Sequence, residues 1–215
     1  MACTTVKEKQ MQKTNLSETA RGIILGYAQH LGVLGKWSKQ ENDCDAVLVQ
    51  RVRGIKDKHH HSLMMEMVAL TEVIHGLSDI EQEEGVPAEM LGLFEEKQWP
   101  ALIVEFQPSM RIVELKFNTM EQHKNLAETG RGVMVEASPG HWLLYNKEGS
   151  LMIRQLRALD SQIITTLKGS ADMSKVATEA AIHHDILKTK VIEWMNEALI
   201  IDIGVPIPEN AEFVE

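Results

Sequence analysis

Apolar positions recur at spacings of three and four through the first third of the chain. Ile24, Tyr27, Leu31 and Leu34 make one stripe and predict a helix. Asn15 with Glu18 three residues on forms a capping box at its start, and Gly32 and Gly35 loosen its end. A second helix is expected over Asp43 to Arg53. The third is clearer: Leu63, Met67, Leu70, Ile74 and Leu77 form a regular stripe, closed by Gly76 and the acidic run Asp79 to Glu84. Pro87 stands where a helix can start, since its missing N–H would be unpaired there anyway, and opens a helix over Ala88 to Glu96 that ends before Pro100.

The period changes after Trp99-Pro100. ALIVEF (101–106) is a short apolar run and MRIVELKF (110–117) alternates, so both predict strands. Asn118 to Gly130 is polar and reads as a helical turn plus loop. RGVMVEA (131–137) is another strand candidate, and Ser138-Pro139-Gly140 a turn. The composition therefore divides near residues 97 to 110, into a helical region 1–100 and a strand-rich linker and module over 101–215.

Within that module, HWLLYNKEGSLMIRQL (141–156) reads as a hairpin, with Gly149 supplying positive φ in the turn Lys147-Glu148-Gly149-Ser150. A helix over Ala158 to Leu167 places Leu159, Ile163 and Leu167 on one face, with Gly169 as its left-handed cap. Asp172 or Ser174 caps the next helix, which turns Val176, Ala177 and Ala180 inward. Ala177, Ala180 and Ala181 are small enough for close helix approach. His183-His184-Asp185 forms a turn, and Asp185 caps a third helix with Leu187, Val191, Trp194 or Met195, and Ala198 buried. LIIDI (199–203) then returns to the sheet. The fold class is α+β: a helical N-terminal region, then a winged-helix-like module of a small antiparallel sheet and three helices.

Such a module grips either nucleic acid or peptide, and charge discriminates between them. The chain of 215 residues carries a formal net charge of −9, whereas phosphate neutralisation needs clustered Lys and Arg. Within 150–203, Arg154, Arg157, Lys168, Lys175, Lys188 and Lys190 face Asp160, Asp172, Glu179, Asp185, Glu193, Glu197 and Asp202. The module is slightly acidic. A winged-helix DNA-binding transcriptional regulator is therefore the weaker alternative. Peptide capture by β-augmentation needs only an open sheet edge and a groove against a helix. The candidate peptide-binding residues are Leu151, Met152, Ile153, Arg154 and Gln155 on the second hairpin strand, with Lys188, Ile192 and Met195 on the third helix. Lys188 and Lys190 beside Ile192 and Met195 suit an amphipathic or acidic peptide, unless those lysines are simply solvated.

Catalytic signatures are missing: no phosphate loop, nucleophile elbow, HExxH or Cys-x-x-Cys occurs. The two cysteines, Cys3 and Cys44, do not make a disulfide scaffold, and the acidic neighbours of Cys44 disfavour a thiolate. Adjacent His59, His60 and His61 point about 100° apart on a helix and cannot converge on one ion, so they read as a solvated helix start. Trp37, Trp99, Trp142 and Trp194 read as core or interface anchors, and Met64, Met65, Met67 and Met90 as core or an adaptable partner surface. With no apolar run near 18 residues and no leader-like h-region, a soluble cytoplasmic protein without a catalytic site or metal of its own is expected.

A resemblance gives the ligand a chemical class. The strand ending in Tyr145-Asn146, the turn, the second strand, Leu159-Asp160, Leu167-Lys168-Gly169, Val176, Leu187 and the Trp194-Met195…Leu199-Ile200 close resemble the PqqD-like recognition element of ribosomal peptide biosynthesis. Upstream, Trp99-Pro100-Ala101…Gln107-Pro108-Ser109-Met110-Arg111 is similar to the HvfC-type partner proteins of TIM-barrel multinuclear iron oxygenases. The N-terminal half lacks the arginine-asparagine-rich helix of the wider family, which favours the shorter methanobactin-biosynthesis type. The resemblance spans residues 99–203 and rests on apolar and glycine positions. It implies a non-catalytic subunit that binds a precursor leader peptide. That subunit forms a heterodimer with an iron oxygenase converting peptide cysteine to oxazolone and thioamide, and the iron belongs to the partner.

Overall fold

The structure is a computed structural model that describes residues 18–33, 45–169 and 171–206. Asn15, Leu34, Gly35, Trp37 and both cysteines, on which parts of the sequence reading fall, lie outside the described residues. The chain is α+β and forms two compact units, each assembled from two stretches: 1–76 with 115–139, and 77–114 with 140–215. The division at residue 100 follows composition; the units in space follow chain crossings within the third helix and two strands.

The first unit is helical. Helices α1 (Glu18–His30), α2 (Asp45–Arg53) and α3 (Lys58–Ser78) are followed by α4 (Thr119–Thr129). Its core gathers Ile23, Ile24, Tyr27 and Ala28 of α1, Leu48 and Val52 of α2, Leu63, Met64, Met67 and Val68 of α3, and Leu126 of α4. Gly32, at φ 69°, closes α1 in a Schellman turn, with Val33 N bonded to Ala28 O and Gly32 N to Gln29 O. Gly76 does not end α3, which continues to Ser78; helical Gly costs about 1 kcal/mol relative to Ala but does not forbid the helix.

The polar stretch 118–130, expected as a helical turn plus loop, is helical throughout Thr119–Thr129 and forms an eleven-residue helix. Met120, His123 and Leu126 give it a buried stripe. Asn118 offers it no side-chain cap; the carboxylate of Glu66 on α3 stands in, accepting from Lys116 N at 2.9 Å, Phe117 N at 3.2 Å and the Thr119 hydroxyl. An anion near a helix N-terminus is stabilising. No sequence spacing announces a cap supplied from fifty residues away.

RGVMVEA (131–137) does not form a strand before Ala137. Its backbone is satisfied instead by side-chain amides: Gln122 Oε1 accepts from Val133 N and its Nε2 donates to Val133 O, while Asn118 bonds Met134 O and Glu136 N. Ser138-Pro139-Gly140 is not a turn either. It lies within β3, ahead of the first residue that pairs with the next strand, so Pro139 removes no bond from that ladder.

The second unit carries the sheets. Strands β1 (Ile103–Phe106), β2 (Arg111–Phe117), β3 (Ala137–Lys147), β4 (Ser150–Leu156) and β5 (Ile200–Gly204) form two sheets, ordered β1-β5 and β2-β3-β4. LIIDI therefore returns to β1, antiparallel, and not to the hairpin. Helices α5 (Ala158–Lys168), α6 (Met173–Glu179) and α7 (His184–Asn196) complete the unit. Its core includes Leu102, Val104 and Phe106 of the β1 region, Leu143 and Tyr145 of β3, Ile163, Ile164 and Leu167 of α5, and Val191, Trp194 and Met195 of α7.

The helix expected over Ala88 to Glu96 is two separate 3-10 turns, Ala88–Leu93 and Glu96–Ala101, the second containing Pro100. Three-residue bonds suffice in so short a segment, and Pro100 lacks only a donor that one turn does not need. Leu159 is exposed; Ser161, Ile163, Ile164 and Leu167 are the buried positions of α5. Gly169 ends α5 at φ −77°, outside the left-handed region. His183, not Asp185, is the N-cap of α7, its ring nitrogen accepting from Asp185 N at 3.4 Å. Asp172 does cap α6, accepting from Lys175 N at 2.7 Å.

The left-handed residues that end α6 and α7 are alanines. Ala181 (φ 52°) follows α6 and Ala198 (φ 58°) follows α7. In each case the two Schellman bonds are present: Ala181 N to Thr178 O and Ile182 N to Ala177 O, then Ala198 N to Met195 O and Leu199 N to Trp194 O. Ala198 is thus not a buried position of α7 but the residue that stops it. Gln107 secures this corner: its buried amide bonds Glu83 N, Glu83 O and Ala198 O.

Candidate functional site

The hairpin turn determines what β4 offers to solvent. Lys147 pairs with Ser150 across a two-residue loop in which Glu148 (φ 53°) and Gly149 (φ 76°) both have positive φ, the type I′ geometry. Gln82 holds the loop by accepting from Glu148 N at 2.8 Å. Counting from that closing pair, Met152 and Arg154 face β3 through their backbone groups, opposite Tyr145 and Leu143. The N–H and C=O of Leu151, Ile153 and Gln155 therefore point away from β3. In the order β2-β3-β4 no strand among the described residues lies beyond β4. It is an open edge with donors and acceptors at every second residue.

The side chains along that edge are unusually apolar for one left uncovered. Leu151, Met152 and Ile153 are 39%, 40% and 41% exposed. Edge strands are normally blunted with charge, proline or bulges; between Ser150 and Leu156 only Arg154 is charged, and the β3–β4 register runs without a bulge. Gln155 shares a face with Leu151 and Ile153. Gly140 leaves it room, since a Cβ there would sit 3.2 Å from the Gln155 amide nitrogen.

Helix α7 supplies charged neighbours. Arg154 Nη1 donates to Glu197 Oε1 at 2.5 Å, and Arg154 Nε and Glu197 Oε2 are buried without partners. Burial, followed by the Glu197 carboxylate, pushes the Tyr145 phenol above its usual range, with Arg154 acting in the opposite sense. Lys190 lies 2.9 Å from Glu193 Oε2 and 3.4 Å from Asp160 Oδ1. The hydrogen bond to Glu193, aided by Asp160, holds the Lys190 ammonium above the ordinary lysine range. Lys190 and Glu193 of α7 and its C-cap Glu197 fall at i, i+3 and i+7 and line one side of the helix end.

The sequence-derived candidates separate into three groups. Leu151, Met152, Ile153, Arg154 and Gln155 lie together on the open strand. Ile192 is partly buried against the core and Met195 is inside it, so neither is a surface contact like those on β4. Lys188 sits over the Trp99 ring at 4.0 Å, a cation–π contact that gives both residues a structural partner. Lys190 is likewise held between two carboxylates. Neither lysine stands free to meet an acidic peptide. The residues missed from sequence are Asp160, Glu193 and Glu197. Their helical spacing was readable, but their pairing with Arg154 and Lys190 depends on how α5, α7 and β4 meet.

The histidines 59 to 61 occupy the first turn of α3, where Asp57 accepts from His60 N at 2.7 Å and His59 packs edge-on against Phe117. Among the described residues, no three His, Cys, Asp or Glu side chains gather as a metal site needs. Nor is any described helix long and apolar enough to cross a membrane. Compared with models of known protein families and with curated proteins, the chain matches none.

Proposed function

We propose that this chain is a non-catalytic partner subunit that binds the leader segment of a ribosomally made precursor peptide along β4. The observation that carries the reading is the open, apolar β4 edge. An extended peptide laid on it gains ladder bonds from Leu151, Ile153 and Gln155 and apolar contact with Leu151, Met152 and Ile153. The hairpin followed by α5, α6 and α7 is read as a PqqD-like recognition module, on its resemblance in residues 141–203. The upstream resemblance around Gln107-Pro108-Ser109-Met110-Arg111 assigns the second partner, a TIM-barrel multinuclear iron oxygenase that converts peptide cysteine to oxazolone and thioamide. The iron sits in that barrel; this chain contributes binding.

The DNA-binding reading is weaker because α7 carries Glu193 and ends at Glu197, which bonds Arg154 of β4, and both carboxylates would repel phosphates. Co-expression with the products of neighbouring genes, followed by pull-down and metal analysis, tests the proposal. A heterodimer containing iron, which captures a precursor peptide through its leader, is the expected result. A chain that emerges alone, free of metal and indifferent to the peptide overturns it, and salt-dependent retention on DNA would favour the regulator.

A further inference from the structure

At the other edge of the three-stranded sheet, the turn Gln107–Met110 leads into β2 and is closed by Met110 N bonding Gln107 O at 2.9 Å. Two cations converge on this turn. Arg111 Nη1 donates to Pro108 O at 2.6 Å and to Met110 O at 2.9 Å. Lys168 Nζ, from the last residue of α5, donates to the same Met110 oxygen at 2.9 Å. Their nitrogens are therefore no farther apart than those two bonds laid end to end. Among the described residues neither cation has a carboxylate within ion-pair distance, although acidic residues outnumber basic ones in the chain by 31 to 22.

We propose that Arg111 and Lys168 form a site for a single oxyanion, either a carboxylate or a phosphate group. The chemistry follows from the donors left over. Both protons of Arg111 Nη1 are committed to carbonyls, which leaves its Nη2 and Nε protons, and two of the three on Lys168 Nζ remain. Both residues are exposed overall, and the Lys168 ammonium itself is part-buried against the turn. The backbone carbonyls hold the two charged groups in place before any ligand arrives, which reduces the ordering cost of binding. A turn carbonyl needs only one such donor. The second cation adds like-charge repulsion, visible as a Lys168 ammonium depressed by burial and then by Arg111, and an anion shared between them relieves it. The site shares no residue with the β4 edge or α7 and does not depend on the peptide-binding reading.

The test is titration of the full-length, isotope-labelled chain with inorganic phosphate at constant ionic strength, followed by backbone amide resonances. Saturable shifts centred on residues 109–111 and 168–169, with a dissociation constant in the millimolar range, are expected. A parallel titration with acetate separates the sources: saturation by both anions assigns the site to oxyanions generally, and saturation by phosphate alone assigns it to phosphate groups. Arg111→Gln and Lys168→Gln should each weaken binding at least tenfold, Lys168→Arg should retain it, and Lys175→Gln, whose lysine pairs with Glu179, should leave it unchanged. The wild-type titration decides the matter even if a Gln variant fails to fold. Linear shifts without saturation for both anions, saturation centred elsewhere, or unchanged affinity in the Arg111→Gln/Lys168→Gln double variant overturns the proposal.

Discussion

Arg154 of β4 and Glu197, the C-cap of α7, are joined by one short bond while a second donor and acceptor on the same two side chains stay buried and unpaired. The pair ties the strand that offers an open edge to the helix beside it. Both side chains are about one-third exposed, so solvent screens much of the attraction. A double-mutant cycle of Arg154→Ala and Glu197→Ala, read by urea denaturation, should give a coupling energy of about 1 kcal/mol, at the upper end for partly exposed pairs. Tyr145 reports the same geometry. Glu197→Gln should lower its pKa while burial keeps it above the free value, and Arg154→Gln should raise it. An unchanged Tyr145 titration in both variants would dissociate the phenol from the pair.

Proline distinguishes the two sides of β4. Ile153→Pro removes an N–H that points to the open edge and leaves the bonds to β3 in place; Met152→Pro removes a ladder bond opposite Tyr145. The first should keep the native circular dichroism spectrum and lose at least tenfold in peptide capture. The second should destabilise the fold by about 3 kcal/mol or more, as proline does when it breaks an internal hydrogen bond. Equal loss of stability in both would mean that the edge is not open at Ile153.

The strength of a local signal decided how much of this was legible. The stripe Leu63, Met67, Leu70 predicted α3, and Gly149 predicted a hairpin whose register then fixed the outward groups of β4. The full length of helix α4 was missed because its N-terminal anion, Glu66, comes from another helix, and 131–136 mimicked a strand while its bonds went to Gln122 and Asn118. The pairing of β5 with β1, about a hundred residues apart, left no trace in either segment alone. Of the candidate site, the contiguous strand residues came out together. Met195 did not, because apolar periodicity cannot separate a groove wall from core.

Alanine is the best helix former, so Ala181 and Ala198 gave no sign that they stop helices. A residue with a Cβ in the left-handed region costs about 1–2 kcal/mol relative to glycine's freedom. Ala181 is exposed, and Ala181→Gly should stabilise the fold by about 1 kcal/mol in thermal or urea melts. Ala198→Gly should gain less, because a Cβ added at Gly85 would lie 2.7 Å from the Ala198 Cβ, which puts the alanine methyl against the Gly85 backbone. Conversely, Gly85→Ala collides with Ala198 Cα at 2.8 Å and should destabilise. Equal gains from both Ala→Gly changes would refute the role given to that contact.

Tyr27 predicts the alkaline limit of stability. It is fully buried, its hydroxyl has no partner, and burial, followed by the charge of Glu66, pushes its pKa from 10.0 to about 12. Because the folded pKa lies above the unfolded one, the folded state holds the proton more tightly. The resulting stabilisation is fully present below pH 10 and is lost as pH rises from 10 through about 12. Two units correspond to roughly 3 kcal/mol over that window. Tyr27→Phe removes the titration, so its urea midpoint should stay flat where the wild type falls. At pH 7 the variant should be as stable as the wild type or slightly more so, since it deletes a buried polar group that costs about 1–3 kcal/mol when unpaired. Tyr145 is the only other tyrosine and is also shifted upward. Absorbance at the tyrosinate band should therefore show the folded wild type less than half ionised at pH 10, and Glu66→Gln should advance only the Tyr27 step. Half ionisation at pH 10 in the native chain would mean that neither phenol is shielded.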